Sequence, residues 1–473
     1  MKYNTVNESV VNRLKKIAGP GNVLTDQEKM EAYTHDEVPE TQWRSMPEVV
    51  VKPETAHQIS EILKLANLEM IPVTPRGAGT GLAAGAVPVY GGIVLSTEKM
   101  NKIIELDREN LFMVVEPGVT TGEVQKLAAE EGYLYAGDPC SADSSFIGGN
   151  VATNAGGNKA VKYGCTSRHI YGIDIVLPSG EITTQGGKCV KDVTGYNLVS
   201  LMVGSEGTLG IVTKIYLKLL PKPRHNAVLL VPFADMQTAI NIVPAVMTQA
   251  GIIPTSIEFM DSLCIKSAGS FLDRQLPHGD AGAYIIIEVD SNTESQLEEE
   301  FEAIGNICMD NGGLDVLVGN NAATQEKIWK PRRCLAEALR VTSPIYCMED
   351  IVVPVSQIPA MVGEIEKIAE RHSIKIPCFG HAGDGNIHAT LLKEDMDDQT
   401  WQSVKETVLE EIYQATYSFG GKLSGEHGIG AKRRAAMIKF MDPVQINIIK
   451  SIKKALDPNL ILNPGKIVDT SDL

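Results

Sequence analysis

Pro75-Arg76-Gly77-Ala78-Gly79-Thr80-Gly81-Leu82-Ala83-Ala84-Gly85 is the stretch on which the fold of this chain turns. It follows strand, helix and strand text: Val49 to Val51, a helix beginning near Thr55 with apolar residues at Ile59, Ile62, Leu63 and Ala66, then Ile71 to Val73. Glycines packed this densely after a strand expose backbone N–H groups that can wrap a phosphate. Gly79 to Ala84 also matches the G-x-G-x-x-A spacing of a dinucleotide fingerprint, with Glu98 about where its ribose-binding acid would fall. That fingerprint needs a helix to open at the loop. Gly85, Pro88, Gly91 and Gly92 leave no room for one before the next strand, Ile93 to Leu95, so the fingerprint reading is rejected.

Working outward, a second glycine cluster runs from Pro139 through Ser141, Gly148, Asn150, Thr153 and Asn154 to Gly157, followed by Tyr163 and Gly164. Small and polar residues over this span build no core and suit a groove for a large polar ligand. Ile173 to Leu177, Gly204 to Val212 and Lys214 to Leu220 add strand text, and Leu220-Pro221-Lys222-Pro223 is a stiff break. Beyond it amphipathic helices alternate with strands such as Ala227 to Val231 and Tyr284 to Val289, the pattern of an antiparallel sheet covered by helices. The expected fold class is therefore α+β. Residues 1–222, opening with a helical segment over 1–45, form a first domain; residues 223–420 form a second, and 421–473 a closing segment.

The 473 residues exceed what one core usually covers, and a formal charge of −16 with no basic run interleaved with aromatics argues against a nucleic-acid partner. No stretch approaches the ~18 uninterrupted apolar residues of a membrane helix. The N-terminal text has no apolar signal core and is read as cytoplasmic. Eight cysteines stand too far apart for an iron-sulfur cluster or a structural zinc site, and disulfides are not expected in a reducing compartment.

Near the C-terminus, His381-Ala382-Gly383-Asp384-Gly385-Asn386-Ile387-His388 and Gly425-Glu426-His427-Gly428-Ile429-Gly430 place three of the nine histidines and a glutamate in glycine-rich backbone. The glycines suit sharp turns rather than packing, so these side chains read as metal ligands and a proton acceptor outside the core.

Five ordered segments, Pro75 to Gly81, Ile147 to Gly157, Val203 to Gly210 and the two C-terminal motifs, resemble the FAD-dependent D-lactate dehydrogenase and glycolate oxidase family of the vanillyl-alcohol-oxidase type. The likeness runs from Asn22 to the closing Asn463-Pro464-Gly465-Lys466. It implies a two-lobed FAD domain with Pro75, Arg76, Gly77, Ala78, Gly79, Thr80 and Gly81 around the pyrophosphate. Pro139, Ser141, Gly148, Asn150, Thr153, Asn154, Gly157 and Tyr163 would lie along the flavin. Glu206, Gly210, Ile211 and Asn463 would complete the site. Thr80 stands where relatives that tether their flavin carry histidine, so the FAD is expected to be non-covalent. The second domain is expected to be a ferredoxin-like cap.

The same resemblance assigns His427 as the base that takes the hydroxyl proton of a 2-hydroxy acid while flavin N5 takes the Cα hydride. His381, His388 and Glu426 would hold a divalent cation, and two nitrogens with a carboxylate fit zinc, iron(II) or manganese alike. Arg332, in Trp329-Lys330-Pro331-Arg332-Arg333, would face the substrate carboxylate, and Met348, where relatives acting on dicarboxylic acids carry lysine, points to a small monocarboxylate. Electrons would leave to electron-transfer flavoprotein, an iron-sulfur partner subunit, a quinone or oxygen; assembly into a homo-oligomer is left open. A glycolate oxidase subunit is the alternative enzyme, and a flavin reductase or synthase with a structural metal motif is the alternative class.

Overall fold

The computed structural model describes residues 3–39 and 42–469. The chain forms two compact units: Met1–Gly156 with Gly164–Lys222 and Glu426–Leu473, and Gly157–Tyr163 with Pro223–Gly425.

The first unit holds two sheets. In one, Val49–Val51 and Val73–Arg76 flank Ile93–Ser96 in parallel, and Val23–Leu24 adds an antiparallel edge. The parallel strands are almost wholly buried, as their unbroken apolar text requires when helices cover a sheet. Thr55 caps the crossover helix Ala56–Glu69 through its side chain, and Ile59, Ile62, Leu63 and Ala66 point into the core with Val49, Val51 and Ile93. Gly77 to Gly92 contains no helix, which bears out the rejection of the fingerprint.

The second sheet is antiparallel, in the order Ile103–Asp107, Phe112–Val115, Ile211–Lys218, Ile170–Val176, Ile182–Gly186. Buried and half-buried residues alternate along Ile211–Lys218, which turns Ile211, Ile215 and Leu217 inward. Two expectations are corrected here. Gly204 to Gly210 is turn rather than strand, the strand beginning at Ile211. The glycine cluster after Pro139 contains a short helix, Ile147–Thr153, because Ile147 and Val151, four apart, bury together against Val115 and Ile173.

The C-terminal stretch closes this unit through buried charge. Lys453, in helix Pro443–Leu456, donates to the Thr208 and Leu462 carbonyls at 2.8 and 2.7 Å and to Asp457 at 2.6 Å. Asp457 in turn accepts the backbone N–H groups of Ile461 and Leu462. Three stretches of chain meet at one ammonium.

The second unit is a seven-stranded antiparallel sheet in the order Leu317–Gly319, His225–Phe233, Ala283–Ser291, Ser256–Asp261, Cys378–His381, Asn386–Leu392, Tyr346–Val352. Helices Met236–Gln249 and Glu294–Asp310 pack on it. Gly157–Tyr163 joins this unit because Tyr163 Oη donates to Asp290 at 2.8 Å and Lys162 pairs with the same carboxylate. All eight cysteines are free, and no helix among the described residues is long and apolar enough to cross a membrane.

Candidate active site

The first unit contains a cleft whose walls are mostly backbone. Pro75 to Gly81 forms one side, Gly148, Asn150 and Thr153 with Pro139 and Ser141 a second, and Glu206, Gly210 and Ile211 a third. Gly79 is required twice: its φ is +80°, and a Cβ there would stand 2.1 Å from Arg76 Nη2. Arg76 explains that crowding. Its guanidinium is buried and donates to the His35 and Ala32 carbonyls at 2.6 and 2.9 Å, bracing the loop from beneath. The cleft therefore suits a polyanion through loop backbone and small residues rather than through a free cation.

Glu426 and His427 also line this cleft. They are held there by Glu206, whose buried carboxylate accepts the backbone N–H groups of Ile429 and Gly430 at 2.7 Å each. A Cβ on Gly428 would press on Glu206 Oε1 at 2.9 Å, and one on Gly430 would strike the Ala83 carbonyl at 1.8 Å. Burial raises the Glu206 pKa, against the pull of its two N–H donors. The residue itself sits at φ +52°, a strained conformation that aims its side chain at this turn. The side chain of Glu206 is thus spent on the loop bearing His427. Asn463 acts similarly, donating to the Gly85 and Glu206 carbonyls at 3.1 and 2.7 Å.

In the second unit one sheet face carries charge. Register sets Glu258 opposite His381, Phe379 opposite His388 and Asp350 opposite His388, so all five side chains share a face. His381 and His388 are 2% and 4% exposed, with ring centroids 5.3 Å apart. This corrects the expectation that they lie in turns outside a core: they stand on strands Cys378–His381 and Asn386–Leu392, and only the residues between form the turn. Gly385 is needed in that turn at φ +90°, where a Cβ would meet the Val353 carbonyl at 2.0 Å.

His381 Nδ1 lies 2.7 Å from Glu258 Oε1, a bond that leaves Nε2 as the nitrogen suited to a cation. Glu258 Oε2 binds Arg332 Nη2 and Nε at 2.8 and 3.1 Å, and the guanidinium stacks over Phe379 at 4.8 Å. His388 Nδ1 is 3.5 Å from Asp350 Oδ1, and that carboxylate is fixed by Asn386 and Ser424, each at 2.7 Å. Two buried imidazoles, one hydrogen-bonded to a carboxylate and the other with a carboxylate 3.5 Å from its ring nitrogen, suit a borderline divalent cation.

The chain's similarity to known proteins agrees with both halves. Residues 222–467 match the family of FAD linked oxidases, C-terminal domain, and residues 47–186 match the FAD binding domain family. D-lactate dehydrogenase of Anaerostipes hadrus is 37% identical, over 98% of each chain. Glycolate oxidase subunit GlcD of Bacillus subtilis is 36% identical, over 98% of this chain and 97% of its own.

The chain belongs to the FAD-linked oxidase family.

Its fold is also that of p-cresol methylhydroxylase, solved with substrate bound, at a TM-score of 0.81 and 18% identity, over 98% of this chain and 97% of that one. The chain is an FAD-linked oxidoreductase of the lactate, glycolate and 2-hydroxyglutarate dehydrogenase family, with FAD its cofactor.

Of the residues expected around this FAD-linked oxidase's flavin, Asn154, Gly157, Tyr163 and Asn463 do not line the cleft. Asn154 instead accepts the Ser167 N–H at 2.8 Å, and Tyr163 belongs to the second unit, where it donates to Asp290. Sequence reasoning missed Asp350, Glu258 and Asp36, an acid that lines the cleft. Asp350 and Glu258 sit in ordinary strand text, and only the register across the sheet sets them beside the histidines.

Proposed function

We propose that this FAD-linked oxidoreductase oxidises a small 2-hydroxy acid, D-lactate first, to the 2-oxo acid. FAD, when bound, accepts the Cα hydride. His427 takes the hydroxyl proton, on the cleft wall where Glu206 holds its loop. His381 and His388, with Glu426 as the carboxylate ligand, hold a divalent cation (zinc, iron(II) or manganese) that lowers the pKa of the substrate hydroxyl. Glu258 fixes the His381 imidazole, Asp350 lies beside that of His388, and Glu258 also presents Arg332 as the cation for the substrate carboxylate. The observation that carries this reading is the buried histidine pair with its two carboxylates on one sheet face.

With no clustered cysteines in the chain, the electrons pass outward, and electron-transfer flavoprotein is the proposed acceptor ahead of an iron-sulfur partner subunit. The FAD is held without a covalent link through Thr80. The test is anaerobic: the flavin's visible absorbance should bleach with D-lactate, less with glycolate and not with L-lactate, and metal analysis should find about one ion per chain. Lack of bleaching with every 2-hydroxy acid would sink the substrate assignment, and a metal-free active protein the cation.

A further inference from the structure

Asp36 has no part in the chemistry described so far, yet it lies in the wall of the FAD cleft beside Gly81. The residue is 3% exposed. Its Oδ1 accepts the Val38 backbone N–H at 3.2 Å, whereas Oδ2 is buried with no hydrogen-bond partner among the described residues. A Cβ added at Gly81 would stand 3.6 Å from Oδ2, so only bare backbone adjoins it on that side.

Two cations lie near without bonding to it. Arg76 is spent on the Ala32 and His35 carbonyls, and the Lys466 ammonium is directed at Asn463 Oδ1 and the Pro464 carbonyl. Both favour the charged carboxylate, but burial outweighs them and raises the Asp36 pKa to about 6. A buried carboxylate oxygen without a donor is costly to keep, and one set in the wall of a ligand cleft is accounted for by a donor on the ligand.

We propose that Asp36 is a cofactor-binding residue whose Oδ2 accepts a hydrogen bond from a hydroxyl or ring N–H of FAD. The donor class follows from charge. The diphosphate oxygens of FAD only accept hydrogen bonds and repel a carboxylate, whereas its sugar-chain hydroxyls and ring N–H groups donate. Asp36 thus marks, at the Gly81 end of the loop, the part of the cleft occupied by the donor-bearing portion of the cofactor. The inference rests on the membership in the FAD-linked oxidase family and goes beyond it by naming the residue and the donor type.

The experiment reads affinity rather than turnover. Apoprotein is titrated with FAD, followed by quenching of flavin fluorescence, for the unaltered chain, Asp36→Asn and Asp36→Ala, and the thermal midpoint of each apoprotein is measured alongside. Asp36→Ala should weaken FAD binding roughly 10- to 100-fold, the scale of one hydrogen bond to a charged group. Asp36→Asn, which keeps an acceptor for Val38, should weaken it less while leaving the apoprotein midpoint unchanged. FAD binding within twofold of the unaltered chain in both variants overturns the proposal. So does an affinity loss matched in both by a fall in midpoint, since Asp36 would then be a brace for Arg76 and Lys466. Failure of the unaltered chain to bind FAD would instead count against the cofactor itself.

Discussion

In the first unit the cleft is walled by backbone, with glycines where a Cβ would collide and acids such as Glu206 turned away to brace loops. In the second unit the sheet face is made of side chains: two histidines, two carboxylates and an arginine, all buried and cross-linked. Under the proposed function the difference follows from what each would hold. A long ligand carrying a diphosphate is gripped by many N–H groups, each weak and each requiring close approach. A small cation and a hydroxy acid offer few atoms, so each contact must be a strong, oriented, charged one. The first kind of site should fail by steric intrusion and the second by loss of charge balance.

The largest effect tests the functional end of the comparison. His427→Ala should lower turnover by about 10²- to 10⁴-fold while FAD content and the metal stay as they were, the range expected for a general base. Unchanged turnover in steady-state assays would refute the base.

Charge balance in the second unit comes next. Glu258→Gln leaves Arg332 buried with its counter-ion neutralised and should cost roughly 3–5 kcal/mol, seen as a large drop in thermal midpoint. The Arg333–Glu326 pair, more than half exposed on both sides, is the control: Arg333→Ala should cost less than about 1 kcal/mol. Equal losses in the two variants would erase the distinction between a cross-linked face and a solvated one.

Glu206→Gln tests whether a side chain can matter in a cleft of backbone. The amide keeps one acceptor oxygen for the two N–H groups of Ile429 and Gly430, so we expect kcat to fall roughly tenfold with KM and FAD affinity nearly unchanged. A fall in FAD affinity without a change in kcat would return Glu206 to the role of a cofactor contact.

The smallest effect is in pH. Asp261 is half-buried, accepts the N–H groups of Cys264 and Cys378, and desolvation raises its pKa from 3.8 to about 6. The folded state then holds the proton more tightly than the unfolded one, so stability is lost as pH rises from about 4 to 6, by on the order of 1–3 kcal/mol. Asp261→Asn should flatten that slope relative to the unaltered chain. An identical slope in both, measured by urea unfolding at each pH, would mean the backbone donors cancel the burial.

Much of the frame was legible because its signals are local. The capping threonine at 55, the apolar spacing through Ala66 and the breakers between Gly85 and Gly92 fix a strand, a helix and a helix-free loop without reference to anything distant. The sense of Ile147 and Val151 was lost among glycines and polar residues, since a two-turn helix shows its buried stripe only against the sheet it covers.

By itself the sequence determined which residue types stand at the candidate site: glycine loops suited to a phosphate-bearing cofactor, and the histidines and glutamate to which the proposed function gives a cation and a proton. Tertiary structure alone decided how those residues are held. That Glu258 faces His381, that Asp350 faces His388, and that Glu206 reaches across more than two hundred residues to hold the loop of His427 depend on strand register and chain return. Such pairings bring together positions with no sequence periodicity in common, and a hydrogen bond between them exists only once the backbone has set its two ends within about 3 Å of each other.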